Sequence, residues 1–180
     1  MRYFILILPL VLVSFSSCEL FEDTLSTDID TELSQTFNLS ISEQDNLTYA
    51  ETKIISLEDD PDVRDYIDNI KGYTINEVYY TITGYAGAED ITFSGSVAFS
   101  SPESNDATTL VIFDDLLIPT FADGQKHDFA TEADSIENAE NILLNYDAIK
   151  IYLAGAFSDA PVSFNLTVYY DVTVKASVLD

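Results

Sequence analysis

Residues 162–176 constrain the fold more than any other stretch. In Val162-Ser163-Phe164-Asn165-Leu166-Thr167-Val168 apolar and polar side chains alternate strictly, and Tyr170, Val172, Val174 and Ala176 continue the apolar series. A period of two sends successive side chains to opposite faces of a strand, so one face is buried and the other meets water. A strand of this length needs sheet neighbours and a second layer over its apolar face. Other segments supply both. In residues 91–100, Ile91, Phe93, Val97 and Phe99 face one way, and Thr92, Ser94, Ser96 and Ser100 the other. Gly95 falls on the apolar side, where it permits a bend or close packing. Phe37, Leu39 and Ile41 mark an early strand, Val78, Tyr80 and Ile82 a middle one, and Ile149, Ile151, Leu153 and Phe157 a late one. Residues 49–57 make a weaker strand. The unbroken apolar run Leu110-Val111-Ile112-Phe113 predicts a strand buried on both faces.

Two helices interrupt this series. Asp60 suits a cap, Pro61 a first helical position and Gly72 an exit, with Val63, Tyr66, Ile67 and Ile70 on one face between them. The second covers about 133–146, with Ile136, Ala139, Leu143 and Tyr146 on one face and acids at its start. The order is β-β-α-β-β-β-α-β-β, and short turns such as Gly84 to Glu89 predict antiparallel neighbours. The expected fold is mainly β: an antiparallel two-sheet sandwich of about seven strands with two short helices. The alternative is an α+β domain with both helices on one open sheet.

The first 18 residues read MRYFILILPLVLVSFSSC. Arg2 is a short positive region, and Tyr3 to Val13 is an apolar run too short to span a membrane, which needs about 20 residues. Small residues then lead to Cys18. Ser16-Ser17-Cys18 resembles the lipobox read by lipoprotein signal peptidase; Phe15 departs from its usual leucine. The resemblance implies a signal peptide over 1–17 and a diacylglyceryl-modified, N-acylated Cys18 as a lipid anchor, since two or more chains hold stably where one does not. Glu19-Leu20-Phe21-Glu22-Asp23 is similar to the export signal of surface lipoproteins in Bacteroidota. Asp23-Thr24-Leu25 and Asp134-Ser135-Ile136 are similar to the O-glycosylation motif of that phylum, with Thr24 and Ser135 as acceptors. This resemblance implies an outer-membrane location. Residues 18–28 then read as the lipidated cysteine and an acidic tether, and 29–180 as a single domain.

Charge narrows the partners. Seven Lys and Arg face 32 Asp and Glu, a net charge of −25, and loss of Arg2 with the leader leaves −26. Such a domain repels phosphate backbones and anionic bilayers alike, so nucleic acid is excluded and attachment falls to the acyl chains. Cys18 is the one cysteine, so a lipidated chain has no thiol for a disulfide, metal or nucleophile.

Catalytic signals are weak. His127, the one histidine, reads as a loop residue, and no Gly-x-Ser-x-Gly elbow accompanies it. The acid pairs Glu58-Asp59-Asp60-Asp62, Asp114-Asp115 and Glu89-Asp90 read as solvated surface, with no Trp platform for a sugar. Oxygen ligands for a structural Ca²⁺ are available from Asp59, Asp60 and Asp62, from Asp114 and Asp115, and from Asp123 and Asp128, though no segment matches a twelve-residue calcium loop. No other cofactor is expected. Tyr79-Tyr80 and Tyr169-Tyr170 each put one ring inward and one outward, and an outward ring can contact glycan or protein. The leading expectation is a lipid-anchored envelope protein acting as a non-enzymatic binding or interaction module. Its alternatives are a structural subunit of an envelope assembly and a carboxylate-dependent envelope hydrolase.

Overall fold

A computed structural model describes residues 26–129 and 131–177. Its strands are β1 (Ser26–Ile41), β2 (Thr48–Ser56), β3 (Ile70–Ala86), β4 (Thr92–Ser100), β5 (Thr108–Leu117), β6 (His127–Asp128), β7 (Ala148–Phe157) and β8 (Val162–Ser177). They form two four-stranded sheets, β1-β8-β3-β6 and β2-β7-β4-β5, and every pairing is antiparallel. The sandwich read from the alternation is the observed fold.

The strand with the strictest alternation is central in its sheet. β8 pairs with β1 along its whole length and with β3 on its other side, and its residues alternate between buried and half-exposed from Val162 to Val174. Phe37, Leu39, Ile82, Val97, Phe99, Ile151, Leu153 and Val168 are among the side chains that meet between the layers. Gly95 and Gly155 pair directly across β4 and β7, and the Phe93 ring lies against both.

Several expectations are corrected. Residues 26–28, read as the end of the tether, are the start of β1 and pair with Ser177, Ala176 and Lys175. The turn after Gly84 does not close a hairpin: β3 and β4 belong to different sheets, so the chain crosses between layers there. Gly84 itself sits at φ +66° within β3, beside a register shift. Leu110–Phe113 is not buried on both faces. β5 is an edge strand, and Ile112 is 73% exposed. An apolar run does not distinguish a central strand from an edge strand.

The helix expected over 60–72 is instead a 3₁₀ turn at Leu57–Asp59 and a 3₁₀ helix at Arg64–Asn69. Asp60 accepts from the backbone N–H of Asp62 and Val63, closing a local turn in place of α-helical bonds. Only Val63 of the expected apolar face is fully buried; Tyr66, Ile67 and Ile70 are half-buried. The second helix, Ala133–Tyr146, matches its expected bounds, and a single-turn helix precedes it at Ile118–Phe121. Asp147 ends the longer helix in the left-handed region (φ 51°), its N–H donating to the Leu143 carbonyl and its carboxylate accepting from Tyr73. Among the described residues no helix is long and apolar enough to cross a membrane.

Candidate functional site

The two sheets leave their edges open along one flank, where β1 lies beside β2. An open edge is a row of unpaired peptide groups, and folded proteins blunt such rows with inward-pointing charges. β2 does this. Tyr49, Glu51, Lys53 and Ile55 lie opposite Gly155, Leu153, Ile151 and Ile149, so a carboxylate and an ammonium occupy the face that points toward the core. Lys53 spans the flank: Nζ donates to the Thr36 carbonyl at 2.6 Å, lies 3.4 Å from Glu51 Oε1, and sits 5.5 Å from the centroid of the Phe37 ring. Glu51 also accepts from the Tyr49 hydroxyl. Burial, with Glu51 beside it, raises the pKa of that phenol well above its ordinary value.

The Lys53 contact reveals how β1 is turned. In a regular strand the N–H and C=O of one residue point to the same side, and the sides alternate. β1 pairs with β8 without a register shift, so the residues in step with Thr36, namely Ser34 and Glu32, also present their peptide groups to the open flank. There the flank widens into a groove of about 200 Å³. Buried Leu33 and Ile55 line it, with Ser34, Gln35, half-exposed Ile54 and Pro61 around them. Asp59 and Asp60 complete the acidic part of its lining with Glu32. Asp60 is fixed by Thr31, whose hydroxyl donates at 2.5 Å, and by the turn it caps; Asp59 is exposed. The Glu32 carboxylate turns away onto the outer face, where it accepts from the Tyr79 hydroxyl.

That outer face of the β1-β8-β3 sheet carries the outward tyrosines. Tyr79 and Tyr169 pair in register and stack at 4.7 Å with planes 9° apart, while Tyr80 and Tyr170 are buried. Lys126 lies 4.2 Å from the Tyr79 centroid and is paired with Glu77, which raises the lysine's proton affinity. Burial first, then Glu32, holds the Tyr79 phenol protonated far past its ordinary range. Both faces of the Tyr79 ring are thus occupied within the chain.

The other sequence candidates do not line the groove. Asp114 and Asp115 sit on the β5 edge, where Asp115 (φ 48°) exchanges hydrogen bonds with Ser94. Asp123 accepts from the Gln125 N–H at 2.8 Å and lies 3.2 Å from His127 Nε2; those bonds, the backbone one first, lower its pKa. His127 is not a free loop residue. It belongs to β6, and its ring packs between Tyr80 and Phe121 at 5.3 and 5.0 Å. Asp128 is its neighbour in β6. Of the seven proposed calcium ligands, Asp59 and Asp60 alone share the groove, and among the described residues no three His, Cys, Asp or Glu side chains gather into a metal-holding group. Ser135 is half-buried near the start of the longer helix. Cys18 and Thr24 lie outside the described residues.

The sequence reading missed the flank. The signal was present in Glu51 and Lys53, which share a strand face with Tyr49 and Ile55 and so mark 49–56 as an edge.

No family model matches the sequence, and no curated protein matches it either. Among solved structures the chain is similar to those of Desmodium yellow mottle tymovirus (10% identity, TM-score 0.30, covering 100% of this chain and 94% of that one) and turnip yellow mosaic virus (10%, 0.34, covering 100% and 93%). A decameric BFDV capsid protein matches at 15% identity and TM-score 0.37, covering 82% of this chain and 99% of its own. TM-scores this low do not define a shared fold.

Proposed function

We propose that this chain is a lipid-anchored protein of the cell envelope, held at the outer membrane through Cys18, whose sandwich domain serves as a non-enzymatic binding or interaction module. The observation that carries the reading is the open flank. A groove of about 200 Å³ runs beside a strand edge whose peptide groups remain free to pair, which is the usual currency of extended-segment recognition. The anchor supports it. Seven residues separate Cys18 from the first residue of β1, a span of no more than about 29 Å at full extension, so the domain would work close to the bilayer. The acidic surface supports docking onto a basic protein rather than onto lipid or nucleic acid.

Two measurements test it. Metabolic labelling with a clickable palmitate should mark the wild-type chain and leave Cys18→Ser unlabelled and released from membranes; an unlabelled wild type removes the anchor. A photo-reactive residue at Ser34 should cross-link a defined protein in intact cells, whereas the same residue at Thr109 on the far β5 edge should not. Equal products from both positions, or none from either, would remove the module.

A further inference from the structure

We propose that the groove between β1 and β2 takes the side chain of a lysine or arginine carried on an extended, basic segment of a partner protein. This rests on the interaction-module reading and names its site and the chemistry of its partner.

The chain supplies its own precedent. Lys53 shows how an ammonium is held on this flank: a β1 carbonyl at 2.6 Å, a carboxylate at 3.4 Å and the Phe37 ring, its centroid 5.5 Å from Nζ. Two residues back along β1, the same strand edge turns the Ser34 carbonyl outward, and two further back that of Glu32, at a repeat of about 7 Å. Neither carbonyl has a partner beyond the sheet among the described residues. The groove that opens beside them offers carboxylates, as the Lys53 site does, and an apolar wall in place of its aromatic ring. Leu33, Ile55 and Pro61 give an apolar wall for a methylene stem, and Asp59 and Asp60 add carboxylates to the lining. What it lacks is the cation, because no lysine or arginine lines it. Carbonyl acceptors, carboxylates and an apolar wall together select an ammonium or guanidinium over a neutral or anionic group.

Charge complementarity fixes the class of partner. With a mature charge of −26, long-range repulsion disfavours an acidic chain and a second copy of this one alike, and it steers a basic segment inward. The exposed peptide groups of β1 suit a segment lying extended along the edge, its side chains alternating into and away from the groove.

The test uses the full chain in detergent and two blocked peptides, acetyl-Thr-Val-Lys-Val-Thr-amide and the same peptide with norleucine for lysine. Binding is followed by calorimetry at two salt concentrations. The lysine peptide should bind, more weakly at high salt, and the norleucine peptide at least about tenfold less well. Asp59 is exposed, so Asp59→Lys should fold normally and weaken the lysine peptide about tenfold. Asp114→Lys makes the same change in net charge on the opposite flank and should alter affinity by less than about twofold. Equal weakening by both variants would assign the binding to the acidic surface at large and overturn the proposal. Equal binding of the two peptides would overturn it in favour of a purely apolar groove. Failure of the lysine peptide to bind would also overturn it, whereas the module reading fails separately, on the Ser34 cross-link in cells.

Discussion

A methyl group added at Gly95 tests how closely β4 and β7 approach each other within their sheet. An ideal Cβ there would lie 2.4 Å from the Ala154 carbonyl oxygen, 2.6 Å from Phe93 Cζ and 2.8 Å from Gly155 Cα. Two of the three atoms are backbone of β7 and move only if the strand moves. Overpacking a close-packed site costs about 1–3 kcal/mol, and this one belongs near the top of that range. Against it stands the smaller unfolded-state entropy of alanine, about 0.4–1 kcal/mol, so Gly95→Ala should lose about 2 kcal/mol net. For a chain of this size that lowers Tm by about 4–8 °C. At Gly155 the nearest atoms are Cζ and Cε2 of Phe93, at 2.5 and 2.6 Å, with the Ser94 carbonyl oxygen at 2.6 Å. Two of the three belong to one side chain, so Phe93→Leu should relieve Gly155→Ala by about 1 kcal/mol while leaving most of the Gly95→Ala cost in place. Gly72 is the control: an added Cβ meets nothing within 4 Å, and Gly72→Ala should be neutral or slightly stabilising. Urea denaturation of the full chain and these variants in one detergent reads all four numbers. Should Gly95→Ala prove no more destabilising than Gly72→Ala, the close approach of β4 and β7 is wrong, and with it the packing of Phe93.

Two further substitutions address the core and an edge. The Tyr170 hydroxyl is fully buried and has no hydrogen-bond partner among the described residues, so Tyr170→Phe should raise stability by about 1 kcal/mol, and a loss of that size would show that the hydroxyl is bonded. Ile112 is 73% exposed on β5, so Ile112→Lys should change stability by less than about 0.5 kcal/mol in the same denaturation assay; a cost of about 2 kcal/mol or more would return that strand to the interior.

The elements legible in the sequence are those whose period reports burial directly. Val162 to Ala176 alternates because β8 is central in its sheet, with core on one face and water on the other. The stacked Tyr79 and Tyr169 follow from the same parity, since a Tyr-Tyr pair on a strand must divide its rings between faces. Residues 133–146 were legible because their apolar spacing is that of a helix packed on one side, with Ala139 and Leu143 buried. Residues 57–69 were not. Val63, Tyr66, Ile67 and Ile70 have helical spacing, but Asp59, Asp60, Asp62, Asp65 and Asp68 compete for local backbone donors, and at Asp60 that competition is won.

Edges are the other blind spot, and here the missing information bears on function. Whether a strand is an edge depends on which partners the fold assigns it, and β1, β2 and β5 pair with strands remote in sequence or on one side only. Local pattern carries no record of that, save where a charge is turned inward, as in Glu51 and Lys53. Those two residues do more than protect β2. Lys53, paired with Glu51, occupies the Thr36 carbonyl and leaves the Ser34 and Glu32 carbonyls as the next open positions on the same strand. The acidic composition, which in the sequence alone spoke only against phosphate backbones and anionic bilayers, then acquires a direction. Spread over the whole surface it keeps copies apart and repels phosphate, and at Asp59 and Asp60 it lines a groove where a cation can meet both a carboxylate and free peptide carbonyls.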